Sequence, residues 1–452
     1  MAVAPGSVAS TQARIEERFV IPGRPRRGFI LGTFFVFIFL HQTDRLLISP
    51  LTTDIMLEFD IGKAQMGLVS SAALLVGGGM FLVWGYLYDR YARAPLLALA
   101  SFLWGATTWL SARAPTYPTF LLTRATTGVD DSSYPGMYSL VADYFTPSVR
   151  GRVYGVLQVA MPLGFLAATI LALTLGTSLG WRNLFLLTGA AGIILSAVIL
   201  FGVREPPRGQ SEPELEGIEE IGQYPLDRRQ AAALLHKRSL LLLFAQGFVG
   251  VFPWNVITFW FFAYLELERG YDPLQILLTM APAALVLSLG YVVGGSLGDR
   301  AFKRTRRGRL LVSTAGVLLG AFFLTLTMQV PNGMPGLFLA FLLMTSLFVP
   351  FASPNVVSSV YDITLPEVRS TALSIQYFIE EGGAAVAPFL AGLVADRSSL
   401  QEAILVICVT AWLIGSVFLG LAARAIPSDI EVLRGQMRER ASLEKAAALG
   451  EA

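Results

Sequence analysis

The chain of 452 residues is 54% apolar and only 15% charged, with a mean hydropathy of +0.60. A water-soluble chain of this length carries nearer a quarter charged residues, so most of this one is expected to lie in lipid. Cys408 is the sole cysteine and His41 and His236 are the sole histidines, which excludes an intramolecular disulfide, an iron–sulfur site and a metal centre built from Cys and His. The formal charge of +2 says less by its size than by its distribution.

Residues 1–27 hold Arg14, Arg18, Arg24, Arg26 and Arg27 but no apolar core or small-residue cleavage site, so they read as a tail and not a cleaved signal. Apolar runs of spanning length begin near Gly28, Gln65, Ala94, Tyr117, Arg150 and Trp181, then near Ser239, Asp272, Gly308, Met334, Val368 and Leu400. This predicts an all-α membrane protein of twelve transmembrane helices in two six-helix bundles, residues 28–203 and 239–424. Residues 204–238 form the linker, with Pro206-Pro207, acids from Glu212 to Glu220 and the basic end His236-Lys237-Arg238. It reads as a solvated connector with room for one surface helix. Residues 425–452 form a second tail, in which Ile430, Leu433 and Met437 share one helix face. A solvated helix is expected there ahead of a membrane-surface anchor, with no part in transport. Of the 34 basic residues, 27 fall in the tails, the linker and the loops on their side of the membrane. Both termini are therefore expected in the cytoplasm of a multi-pass cell-membrane protein.

The two halves repeat. Gly85-Tyr-Leu-Tyr-Asp89-Arg90-Tyr-Ala-Arg93 closes the second span, and Gly295-Ser-Leu-Gly-Asp299-Arg300 closes the eighth, 210 residues later. Asp143 with Pro147-Ser-Val-Arg150 ends the fourth, and Asp362 with Pro366-Glu-Val-Arg369 the tenth, 219 residues later. A tandem repeat of six helices places two bundles about an axis along the membrane normal, with a substrate cleft between them.

Charged residues inside spans mark that cleft, because each costs roughly 2.5–3.5 kcal/mol in lipid unless it faces protein or water. The first span carries His41-Gln-Thr-Asp44-Arg45, with His41, Asp44 and Arg45 within one turn of a helix. The fourth carries Arg124, Asp130, Asp131 and Tyr134. An acid there is either a proton carrier, lifted by burial and lowered by a guanidinium, or half of a permanent Asp44/Arg124 or Asp131/Arg45 bridge. His41 is a further group able to titrate near neutrality. Trp254 and Asn255 follow Pro253 in the seventh span, where freed carbonyls need protein or a cavity beside them, so they line the cleft or pack between helices. Tyr377, Glu380 and Glu381 lie deep in the eleventh span, and either glutamate is placed to face Arg45 or Arg124 across the cleft. Gly77-Gly78-Gly79 and Gly294-Gly295 sit in apolar helices with no strand before them, and read as close packing or hinges. With no Walker loop, ATP-driven pumping, enzymatic activity, a resident cofactor and a nucleic-acid partner are not expected.

Gly85-x-x-x-Asp89-Arg90-x-x-Arg93, in a loop between the second and third spans, resembles the signature loop of the major facilitator superfamily. The twelve-helix layout, the degraded second copy and the central linker agree with it. The resemblance implies a latch of Asp89, Arg90 and Arg93 with Asp143 as acidic partner, mirrored by Asp299, Arg300, Asp362 and Arg369, and broken and remade during alternating access. A narrower resemblance joins Asp44-Arg45, Arg124-Ala-x-x-Gly128-Val-x-Asp131-x-Ser-Tyr134, Ala160-Met-Pro162-Leu-Gly164, Trp181-Arg182 and Arg204-Glu-Pro-Pro-Arg-Gly209 to the Spinster family of lysophospholipid and sphingosine-phosphate transporters. Asp131 takes the place of that family's glutamate, one methylene shorter. This implies that Asp44 and Asp131 respond to protonation, while Arg45 and Arg124 pair with them or hold an anionic headgroup. The expected function is secondary transport of an amphiphilic anion, coupled to or regulated by protons, by a monomer in the bilayer. A small organic anion or a drug is the alternative cargo, and a membrane sensor that never translocates is the reading from another class.

Overall fold

The computed structural model describes residues 18–20, 27–48, 50–61, 63–215, 220–222, 234–395 and 397–448. Arg14, Arg24 and Arg26, the acids Glu216 and Glu219, any linker helix over 223–233 and the side chain of Asp131 lie outside the described residues. The first half contains α1 (Arg27–Leu47), a short α2 (Thr52–Phe59), α3 (Lys63–Arg90) and α4 (Arg93–Ala112). Its fourth span comes in three pieces, α5 (Tyr117–Thr126), α6 (Gly128–Asp131) and α7 (Tyr134–Tyr144). The fifth and sixth spans form α8 (Arg150–Gly202), which turns at Gly180 where φ is 75° and ψ is 157°. The second half contains α9 (Arg238–Ala263), α10 (Pro273–Arg304), α11 (Gly308–Gln329), a tenth span of α12 (Pro335–Phe348) and α13 (Ala352–Asp362), α14 (Arg369–Ala395) and α15 (Leu400–Ala448).

Among the described residues, ten helices are long and apolar enough to cross a membrane. The broken fourth span and α14, with Glu380 and Glu381, complete the twelve. Local chemistry explains where they start. Asp272 caps α10 by accepting from Gln275 N (2.8 Å), while the Gln275 side chain accepts from Asp272 N (3.0 Å). Thr116 and Thr119 do the same for α5, with Pro118 in its first turn.

The fourth span breaks for reasons visible in its residues. Pro135 has no amide to donate to the carbonyl of Asp131, four residues back, and the tighter bond from Ser133 N to Asp130 O (2.9 Å) leaves the carbonyl of Val129 to the indole of Trp84. Gly128 allows α3 to touch this segment: a Cβ there would lie 2.1 Å from Ala73 O and 2.8 Å from Gly77 N. Gly128→Leu is therefore expected to cost several kcal/mol, as overpacking against backbone does. The readout is a large fall in Tm of the detergent-purified protein, with Gly78→Ala, whose Cβ meets nothing within 4 Å, as the silent control.

The two tails and the linker meet at one face. Strand β1 (Arg18–Val20) pairs antiparallel with β2 (Glu220–Gly222), tying the N-terminal segment to the linker. The expectation of a solvated C-terminal helix is corrected here. Helix α15 continues past Pro427, and Ile430, Leu433, Met437 and Ala441 are buried, the last three clustering with Leu215 of the linker and Leu365. The apolar stripe was legible, but the surface that covers it comes from distant segments. The linker is likewise no simple solvated connector: Glu205 accepts from Arg93 N and Ala94 N at 2.9 and 3.0 Å, and Arg208 donates to Tyr88 O at 2.7 Å. At the opposite face, Glu58 of α2 accepts from Trp181 (2.6 Å) and Arg182 (2.8 Å), clamping the sixth span to the first loop.

Candidate functional site: a gate between the halves and a buried proton-capable cluster

The two repeats reach across to each other at the terminus-bearing face. Asp89, at the end of α3, accepts from Ser370 N (3.1 Å) and Thr371 N (2.6 Å) at the start of α14. Asp299, at the end of α10, accepts from Gly151 N (3.0 Å) and Arg152 N (2.8 Å) at the start of α8. Each carboxylate thus caps a helix of the other half, where unpaired amides and the helix dipole favour negative charge by roughly 0.3–1 kcal/mol, and up to about 2 when partly buried. The glycines four residues earlier permit this approach. A Cβ on Gly85 would lie 2.5 Å from Ser374 Oγ, and one on Gly295 would lie 2.1 Å from Gly151 O. Gly295→Val is expected to hold this face open, which faster alkylation of Ser374→Cys, buried against Gly85 in this structure, by a water-soluble maleimide would report.

Buried ion pairs knit the same face. Arg93 donates to Asp143 (2.6 Å) and Glu205 (2.7 Å), and in the second half Arg309 donates to Asp362 and to Asp299 (2.8 Å). Two pairs cross between halves, Arg369 with Asp143 at 3.5 Å and Arg150 with Asp362 at 3.9 Å. At their centre, Glu212 of the linker accepts from Arg150 (2.8 Å), Arg369 and Arg434 of α15 (2.6 Å). Burial alone would raise the Glu212 carboxyl, but those three guanidiniums outweigh it and hold the group well below the usual carboxylate range. A lowered folded-state pKa gives stabilisation that is complete above the unfolded value of about 4.3 and is lost only as pH falls through the lower folded one. The stability difference between the protein and Glu212→Gln is therefore expected to be the same at pH 8 and pH 5, measured by thermal unfolding. Above the ions lies a buried aromatic layer: Tyr154 meets Tyr138 and Tyr361 edge-on at 5.2 and 6.0 Å, and Tyr361 donates across the halves to Pro135 O (3.1 Å).

Arg90 and Arg300 are exposed, and Arg90 donates to Tyr86 of its own helix (2.7 Å).

Deeper in the first half is a compact polar cluster. His41 Nε2 lies 2.8 Å from Asp130 Oδ2 and Nδ1 lies 2.7 Å from the Tyr134 hydroxyl, which also accepts from Gln42 Nε2 (3.2 Å). His41, Asp130 and Tyr134 are at most 6% exposed. The carboxylate fixes the Nε2 proton. With the ring neutral, Tyr134 donates to Nδ1; with it protonated, Nδ1 donates and the hydroxyl turns away. The break in the fourth span aims Asp130 and Tyr134 at His41 together.

Asp44 points elsewhere, into packing among α1, α4 and α8, where Thr108 (2.9 Å) and Thr188 donate to it and Arg124 approaches to 3.8 Å. Arg124 also lies over the Phe185 ring at 5.1 Å. Of the two expected bridges, the Asp44/Arg124 pair is present, while Asp131, of the other, has its side chain outside the described residues. Arg45 is half-buried. Glu380 does not meet Arg124: it accepts from Gln376 (2.8 Å) and packs on Gly247 of α9, where a Cβ would come within 2.6 Å of Oε1. Glu381 is half-buried, Tyr377 packs across the halves on Phe81 at 5.5 Å, Trp254 is 49% exposed, and the Asn255 amide donates to Val251 O in its own helix (3.0 Å).

Sequence reasoning missed Glu212, Glu205, Arg309 and the tyrosines. The repeat offset from Arg93 pointed to Lys303, six residues short of Arg309, because the eighth–ninth loop is longer than the second–third. Tyr138, Tyr154 and Tyr361 each lie within a dozen residues of a latch charge, the one signal available.

Comparison with known proteins places residues 34–329 within the model of the Major Facilitator Superfamily. The chain is 26% identical over 387 residues to the probable sulfoacetate transporter SauU of Cupriavidus necator, covering 80% of this chain and 90% of the relative. It is also 26% identical over 387 residues to protein spinster homolog 1 of Xenopus tropicalis, covering 79% of this chain and 71% of the relative. Among solved structures, the human organic anion transporter MFSD10 superposes with a TM-score of 0.71 at 17% identity, covering 87% of this chain and 100% of that one.

Proposed function

Because the chain belongs to the Major Facilitator Superfamily of transporters, we propose that it works as a monomeric secondary transporter in the cell membrane, by alternating access, with both termini in the cytoplasm. One observation carries this reading: two aspartates, Asp89 and Asp299, each cap a helix of the opposite half. Contacts of this kind lie at helix ends, where water can take over both the carboxylate and the amides once the halves part, so they suit a gate better than a permanent seam. On this reading, the contacts of Asp89 and Asp299 across the halves are the closed state of a cytoplasmic gate. Protons enter the cycle through His41, Asp130 and Tyr134, while Asp44 and Arg124 hold the first bundle together as an ion pair.

The cargo is an amphiphilic anion of the lysolipid kind. The Spinster-family resemblance of the first half implies an amphiphile, and Arg45, half-buried one turn from His41 on α1, suits an anionic headgroup. The near full-length likeness to a sulfoacetate transporter favours a second reading, a small organic sulfonate or carboxylate. Reconstituted protein with labelled lysophosphatidic acid and labelled sulfoacetate separates them: counterflow of the lysolipid alone supports the first, of sulfoacetate alone the second. Counterflow of neither, nor of a wider anion panel, would leave a sensor that does not translocate.

A further inference from the structure

A concavity of about 520 Å³ opens on the terminus-bearing face, away from the polar cluster and sharing only Arg434 with the gate ions, and three distant segments build it. The turn Thr146–Ser148 belongs to the first half, Lys303, Arg304 and Arg306 to the second, and Arg434 and Arg438 to the C-terminal part of α15. Five cations thus line it against one acid, Glu214, which is itself engaged by Arg434 at 2.9 Å. Arg434 is also held by Glu212 at 2.6 Å, which leaves Lys303, Arg304, Arg306 and Arg438 as the cations open to the hollow, and the pair of Arg306 with Glu431 at 3.7 Å lies on exposed side chains that water screens. The contrast with the neighbouring gate is informative, since Arg150, Arg309 and Arg369 each meet buried carboxylates. Like charges gathered around a hollow of ligand size repel one another unless an anion joins them. Guanidinium forks and an ammonium are the donors that match phosphate oxygens.

We propose that this pocket binds a phosphate-bearing anion, and that the bound anion ties the two halves to the C-terminal helix. Its lining is complete only while the halves are together, so the ligand favours the closed cytoplasmic gate; this second part rests on the alternating-access reading, whereas binding itself does not. The phosphate comes from a lipid headgroup at the membrane edge or from a soluble phosphate.

The test uses the full chain in nanodiscs of phosphatidylcholine, compared with the variant Lys303→Gln/Arg304→Gln/Arg438→Gln. These side chains are exposed and outside the gate, so folding is checked by an unchanged Tm without ligand. One arm titrates inorganic pyrophosphate; the other replaces part of the lipid with phosphatidylglycerol. A rise in Tm for the native chain that the variant loses is expected in one arm, and that arm identifies the source. The rise should shrink with added salt. No rise in either arm, or an equal rise in the variant, overturns the proposal. Binding without slower maleimide labelling of Ser374→Cys at the gate would retain the site and overturn only its coupling to closure.

Discussion

Glu212→Gln is expected to open the cytoplasmic gate. The substitution removes the one negative charge that Arg150, Arg369 and Arg434 share among the described residues, leaving the first two only their longer pairs with Asp362 (3.9 Å) and Asp143 (3.5 Å) and the third its pair with Glu214 (2.9 Å). Removing one partner from a buried ion pair costs roughly 3–5 kcal/mol. If most of that falls on the closed state, the ratio of closed to open shifts by roughly a hundredfold to a few thousandfold. Ser374→Cys supplies the readout: Ser374 is buried against Gly85 while the gate is closed, and Cys408 is buried too, so background labelling is low. Fast labelling in Glu212→Gln beside slow labelling in the parent is the expected result. Equal slow rates would show that the linker decorates the gate without holding it.

The second large effect concerns the proton. His41→Gln keeps a polar side chain beside Asp130 and Tyr134 but removes the imidazole through which we propose the proton enters, so uptake driven by an imposed pH gradient should collapse while counterflow without a gradient persists. A coupling free energy of roughly 1–3 kcal/mol corresponds to a loss of about 5- to 150-fold in gradient-driven accumulation. Tyr134→Phe removes the hydroxyl that must reverse its hydrogen bond and is expected to act in the same direction, more weakly. Asp44→Asn should instead lower Tm, because it leaves Arg124 buried without its carboxylate. Should Asp44→Asn abolish gradient-driven uptake with Tm unchanged, and His41→Gln leave it intact, the proton would belong to the Asp44 pair instead.

The spans were legible because hydropathy and length report directly on a solvent as different from water as a bilayer. The expected starts lie within two residues of the observed ones, even across the broken fourth span. The repeat made Asp89 and Asp299 visible, but not what they touch: a carboxylate that caps backbone amides leaves no side-chain pattern at the receiving end, and Ser370, Thr371 and Gly151 look ordinary in sequence. Asp130 and His41 were both conspicuous as polar residues in lipid. That they meet, while Asp44 turns to Thr108 and Thr188, depends on helix rotations set by packing that a single sequence does not encode locally. Glu212 was hidden for a different reason, since an acid in a polar linker reads as solvated until three distant arginines are seen to converge on it.

The account stands on the gate opening and closing within one working cycle, and distance measurement across it is the most direct test. Spin labels at Ala92→Cys and Arg307→Cys, both exposed at this face and on opposite halves, in a Cys408→Ser background, report the separation by double electron–electron resonance. Two distance populations are expected, the shorter matching the closed gate described here, with their ratio shifted by pH and by the transported anion. A single distance unmoved by pH, by cargo and by Glu212→Gln would contradict it.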